Sequence, residues 1–174
     1  MWNKLLFLVI LFYFIALLQN SFLAHFALFG AVPNLVLIFF SLAVFFGDKD
    51  SYYFTLLLAT ATGVLLDIFF YSCFGPSVFA LLALGFLLKK IKLSLKNGKD
   101  HYPLLYYLPI FFVFFIGYAA FIGLYLRFFD PNSMHINFTF KDIFVLIYNL
   151  FVAYIFFSIY KKINEILPGE KSIK

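Results

Sequence analysis

Six nearly unbroken apolar stretches, separated by short polar or basic breaks, run the length of this 174-residue chain. Their approximate bounds are residues 5–23, 32–46, 51–71, 76–91, 104–128 and 140–161. None shows the strict alternation of a half-buried strand, and several approach the roughly 20 apolar residues that a membrane-crossing helix needs. The pattern predicts an all-α integral membrane protein with six transmembrane helices in a single domain, residues 1–174. The second stretch is short enough to be thin, kinked or partly re-entrant. The breaks carry turn chemistry. Gly75-Pro76-Ser77 forces the third and fourth helices into an antiparallel hairpin, with proline at a first turn where its missing N–H has no partner to lose. Pro33-Asn34 opens the second helix by the same logic. Asp130-Pro131-Asn132 is a turn signal in the loop from Phe129 to Thr139, and Thr139 with Asp142 resembles a capping box for the sixth helix. Beyond the fourth span, Leu88–Lys96 is expected to continue that helix along the headgroups.

Composition turns this pattern into a solvent assignment. The chain is 65% hydrophobic and 12% charged, against about 45–50% and 25% for a soluble domain. With both termini placed in the cytoplasm, Arg127 and Lys141 alone of the 13 Lys and Arg residues fall outside. The opposite orientation would invert that ratio, against the tendency of basic residues to stay on the cytoplasmic side. The net charge of +5 is therefore topology and a lipid-headgroup contact, not a nucleic-acid surface. Tyr52, Tyr53, Tyr106, Tyr107 and Tyr160 fall near the inner interface, where amphipathic rings are favoured. The first apolar run leads into Gln19-Asn20-Ser21 with no clear small-x-small site, so it reads as a retained span. Cys73 has no partner for a disulfide.

One ionisable group stands out. Asp67 is the only acid deep inside an apolar run, and an uncompensated carboxylate at a helix centre in lipid costs about 2.5–3.5 kcal/mol. Thr60, Gly63 and Asp67 share a helix face, and Ala59-x-x-x-Gly63 is a small-x-x-x-small pattern that admits close helix approach. Asp67 then binds an ion or ligand, pairs with a partner protein, or hydrogen-bonds a neighbouring helix end. Gln19, Asn20, Ser21, His25 and Asn34 cluster around the first outer connection and could line a shallow cavity with Asp67. Asn149, midway along the sixth helix, is expected to bond another helix. Ala119-x-x-x-Gly123 reads as a further packing seam. Asn137-Phe138-Thr139 is a chance sequon. His25, His101 and His135 have no metal-ligand spacing, and no nucleophile motif, phosphate loop or acid pair is present, so neither an enzyme nor a cofactor or metal site is expected.

Pro33-Asn34-Leu35-Val36-Leu37, Gly63-Val64-Leu65-Leu66-Asp67 and Gly75-Pro76 together resemble the rod shape-determining MreD family, in motif order and in the spacing of spans. The sequence departs from that pattern at Ser77-Val78, where a Leu-Gly pair is usual, at Asn34, where Asp is usual, and in Gly47-Asp48-Lys49-Asp50, where more Arg is usual. The resemblance implies a non-enzymatic scaffold of the cell-elongation complex in the bacterial inner membrane. Such a protein binds MreC and helps couple MreB filaments to peptidoglycan synthesis by RodA and its transpeptidase partner. The family is also similar to the S components of energy-coupling-factor transporters, which implies an alternative: capture of a small molecule such as a vitamin. Against that alternative, the Ala-x-x-x-Ala docking surface of such proteins is interrupted here, with Asn20 between Ala16 and Ala24.

Overall fold

The computed structural model describes residues 2–27, 30–46, 52–70, 74–95, 103–129 and 140–166. Six α-helices are present among them, α1 (Trp2–Ser21), α2 (Leu35–Phe46), α3 (Tyr52–Phe70), α4 (Pro76–Leu95), α5 (Pro103–Phe129) and α6 (Phe140–Ile166), with a short 3-10 turn at Leu23–Phe26 and no β-strand. The expectations placed on Gly47–Asp50, Cys73, Lys96, His101, Asp130–Asn132, His135 and Asn137–Thr139 lie outside the described residues. By length and composition, three helices can cross a membrane: Tyr52–Phe69 in α3, Tyr106–Phe129 in α5 and Phe140–Ile163 in α6. Leu6–Ser21 and Leu35–Phe46 are apolar but shorter. The α4 helix runs on to Leu95, which brings Lys89, Lys90 and Lys92 into it.

The short helix is the central one. In α2, Leu35–Ile38, Phe40–Leu42, Val44 and Phe45 are all buried, as expected of a helix that is apolar all round. It has no lipid face because the other helices surround it. Side chains from all six helices join one apolar core, including Phe12, Val36, Phe40, Leu58, Leu81, Phe111 and Phe157. Near the end of α2, Tyr107 of α5 stacks on Phe157 of α6 at 5.5 Å between ring centres, and Phe46 lies 5.4 Å from the same tyrosine ring. Such ring pairs contribute about 0.5–1.5 kcal/mol beyond their burial. Phe fills the core at Phe12, Phe40, Phe111 and Phe157, while others, such as Phe7, Phe79 and Phe151, stand on the outer surface of the bundle.

The approach to α2 differs from the sequence expectation. The helix begins at Leu35, so Pro33 stands before it and not in its first turn. Asn34 is the N-cap: its Oδ1 accepts the Leu37 N–H at 3.1 Å, and its carbonyl accepts the Ile38 N–H at 3.2 Å. The non-helical residues 30–34 descend beside α6. The Lys141 side chain lies against Gly30, while the Asn34 N–H reaches Asn149 Oδ1 at 2.7 Å. Those two points are about 12 Å apart along α6. Buried non-helical backbone needs a partner for every polar group. Pro33 has no N–H to satisfy, and Asn149 takes that of Asn34.

Candidate functional site

The α3–α4 hairpin closes on Asp67. Its Oδ2 accepts the Gly75 N–H at 2.8 Å and its Oδ1 accepts the Ser77 N–H at 2.9 Å. The carboxylate is 2% exposed. Gly75 is the N-cap of α4, since its carbonyl accepts the Phe79 N–H at 3.0 Å. Its φ of +120° is a conformation that L side chains rarely adopt, so only glycine fits without strain. Pro76 follows as the first helical residue and brings no donor. A negative group is therefore held where the α4 dipole is positive, with a backbone N–H on each oxygen. Hydrogen bonds to a charged group contribute about 1.5–3 kcal/mol each, enough to offset the burial of the acid.

Gly63, one turn before Asp67, makes this approach possible. A Cβ at Gly63 would lie 2.5 Å from Val78 Cα and 2.7 Å from Val78 N. Backbone meets backbone there, and no side chain can yield. The glycine lets the first turn of α4 touch α3, and the aspartate then reaches the α4 N-terminus. Ala59 is fully buried on the same helix. A third element joins through Ser77, whose hydroxyl shares a 2.8 Å hydrogen bond with the Tyr118 hydroxyl of α5.

Of the candidate residues, Ala59, Gly63, Asp67, Gly75 and Pro76 thus lie in one hairpin, with the Gly63–Asp67 face turned inward on α4. That face is not available to an outside helix. Thr60 is half-buried and donates to the Leu56 carbonyl of its own helix at 2.8 Å. Pro33 and Asn34 belong to the second junction, where Asn149 is fully buried. There Asn149 accepts from Asn34 and donates through Nδ2 to the Val145 carbonyl at 2.7 Å. Ala119 and Gly123 do not form a seam within the bundle. Ala119 is exposed and Gly123 half-buried, because Tyr118, Ile122 and Leu126 turn the other side of α5 to the core.

The expected cavity does not gather its polar groups. Ser21 donates to the Leu17 carbonyl at 2.7 Å, and His25 Nδ1 donates to the Ser21 carbonyl at 2.7 Å. Asn20 Nδ2 donates to the Phe69 carbonyl at 3.3 Å. These groups satisfy helix C-terminal carbonyls, which lack intrahelical donors. Asn34 and Asp67 act as caps. Among the described residues, the buried atoms Gln19 Oε1 and Thr62 Oγ1 lack a hydrogen-bond partner, and no three His, Cys, Asp or Glu side chains gather as a metal site.

Two polar pairs were not singled out in the sequence, Ser77–Tyr118 and Ser41–Tyr107, the latter joined at 2.9 Å. For Tyr118 the available signal was a tyrosine well inside an apolar helix, whose hydroxyl needs a partner when buried, whereas Tyr107 stands near the start of α5 and reads as an interfacial ring although it is 1% exposed.

Neither a curated protein nor a solved structure matches the chain. The family model described as rod shape-determining protein MreD matches residues 2–164, which takes in the hairpin, the α2–α6 junction and every described helix but the last residues of α6. The chain therefore belongs to the MreD family of rod shape-determining proteins, and is a membrane protein with a role in rod-shape determination.

Proposed function

We propose that the protein is a non-enzymatic scaffold of the cell-elongation complex in the bacterial inner membrane. It is a single domain of six membrane-crossing helices with both termini in the cytoplasm. In this reading it binds the single-span protein MreC and helps couple MreB to peptidoglycan synthesis by RodA and its transpeptidase partner. The observation that carries the reading is the internal use of the membrane-buried polar groups. Asp67, Asn34, Asn149, Ser77 and Tyr118 hold helices to one another, which is what a rigid platform for partner helices requires. The family membership supplies the process in which that platform acts.

No observation favours the alternative of a vitamin-binding transporter subunit. Its ligand would need convergent free polar groups, and of the candidates for that part Asn20, Ser21, His25, Asn34 and Asp67 bond helix ends, which leaves only Gln19. The test is affinity purification in mild detergent of the full chain co-expressed with its cognate MreC and, separately, with a transporter energising module. Recovery of MreC alone is expected. Recovery of the energising module without MreC would overturn the reading. Cysteine labelling in intact cells tests the orientation: with the native cysteine removed by Cys73→Ser, Lys96→Cys should label only after the membrane is permeabilised.

A further inference from the structure

The five outer helices do not close their ring around α2. Each of α1, α3, α4, α5 and α6 packs on α2, and in the order α1–α3–α4–α5–α6 each packs on the next. Among the described residues no Cα of α6 comes within 8 Å of one in α1. Rods of equal width leave room for six around a central one, and packed helices have axes about 8–10 Å apart. Five helices at that spacing leave about 120° of the circle open, which puts the axes of α6 and α1 about 16 Å apart. That is room for one further helix.

Burial along α2 marks the same opening. None of its residues is exposed, and its half-buried ones are Phe39, Ala43 and Phe46. Those offsets fall on one stripe of a helix. α6 screens one edge of the stripe, with the Phe156 ring 4.6 Å from Phe39 and the Tyr160 ring 5.0 Å from Phe46. The stripe is therefore the floor of the α6–α1 gap, and Ala43 is the point on it where another backbone can come closest. Both walls are apolar. On α1, Tyr13 and Asn20 turn to Phe69 of α3. Leu11 and Leu18 lie on the opposite flank and are exposed. On α6, Phe157 turns to Tyr107 of α5. The half-buried Val152 and the exposed Ile159 lie on the other flank.

We propose that this gap receives the single membrane-spanning helix of a partner protein, seated on Phe39 and Ala43 between α1 and α6. The width of the gap selects the occupant. A lone rod enters it and completes the ring of six, with apolar contacts on three helices at once. A second copy of this chain presents a face several helices wide, which would rest on α1 and α6 without reaching α2. The inference rests on the function proposed above for the partner's name, MreC, and on the packing of the bundle for the place where that partner sits.

The test uses the full chain carrying Cys73→Ser, co-expressed with MreC that bears single cysteines along its span. Leu11→Cys and Ile159→Cys report the two walls, and Ala43→Cys reports the floor. Ile116→Cys, on the exposed side of α5, is the control. A disulfide forms only where the two Cα atoms come within about 7 Å. Oxidation should capture MreC from both walls, through different sides of its span, and from the floor, but not from Ile116→Cys. Ala43→Phe fills the floor and should lower the MreC recovered per folded molecule about tenfold, while Ile116→Phe leaves it unchanged. Capture through Ile116→Cys alone, recovery of MreC without capture at the three groove positions, or undiminished recovery with Ala43→Phe would overturn the groove and leave the proposed function standing. A parent protein that recovers no MreC would overturn both.

Discussion

Gly63→Ala isolates the geometry of the hairpin with one methyl group. The added Cβ would stand 2.5 Å from Val78 Cα, and ordinary contact begins near 3.4 Å. The first turn of α4 must then withdraw from α3 by about 1 Å, because neither atom in the clash is mobile on its own. That withdrawal stretches the Asp67 bonds to Gly75 and Ser77, now 2.8 and 2.9 Å, past the length at which they hold. Overpacking costs about 1–3 kcal/mol, and weakening hydrogen bonds to a buried carboxylate adds about 1–3 kcal/mol. The expected loss is about 2–6 kcal/mol, a large share of a typical margin of stability of about 5–15 kcal/mol. Reversible unfolding in mixed micelles with increasing denaturing detergent measures it. Gly117→Ala is the internal control. There the nearest atom to the new methyl is Leu84 Cδ2, at 3.1 Å. That is the end of a flexible side chain, and the cost should stay below about 1 kcal/mol. A Gly63→Ala protein within about 0.5 kcal/mol of the parent would refute the close-approach argument.

Asn149→Leu removes the acceptor of the Asn34 N–H and leaves a buried backbone donor unpaired, so it should destabilise by about 1–3 kcal/mol. The same unfolding series measures it, and a loss below about 0.5 kcal/mol would contradict the assignment. Thr62→Val replaces a buried hydroxyl that has no partner with a methyl of similar shape. It should leave stability unchanged or raise it by up to about 1 kcal/mol, and a clear loss would show that the hydroxyl is bonded.

The helices were legible because their apolar runs are long and the breaks between them carry Pro, Gly and Lys. The special standing of Asp67 was legible too, since an acid in such a run must have a partner. Its actual partners were not. The Gly75 and Ser77 N–H groups lie 8 and 10 residues away, and reaching them depends on the hairpin register set by Gly63 against Val78. Ala119 and Gly123 show the opposite failure. Small residues on a uniformly apolar helix read as a seam, but the inward side of α5 follows Tyr107, Phe111, Phe114, Tyr118, Ile122 and Leu126. With apolar residues on every side of α5, periodicity carries little information about which side is buried. At α2, Pro33-Asn34 correctly marked a helix start. The three-residue difference in where it begins arises because Asn34 caps the helix with Asn149 behind it, a contact 115 residues away in sequence.

Asp67 clamps the start of α4, and we infer that it is not itself a contact for a partner or ligand. Asp67→Asn tests it most directly, because one oxygen becomes an NH2 group facing a backbone N–H while size and shape stay the same. The measurement is MreC recovered per folded molecule, with the folded fraction taken from the unfolding series. The expected result is a stability loss of about 2–4 kcal/mol with parental MreC recovery once the folded fractions are matched. A variant as stable as the parent that no longer recovers MreC would show instead that the carboxylate belongs to the interface.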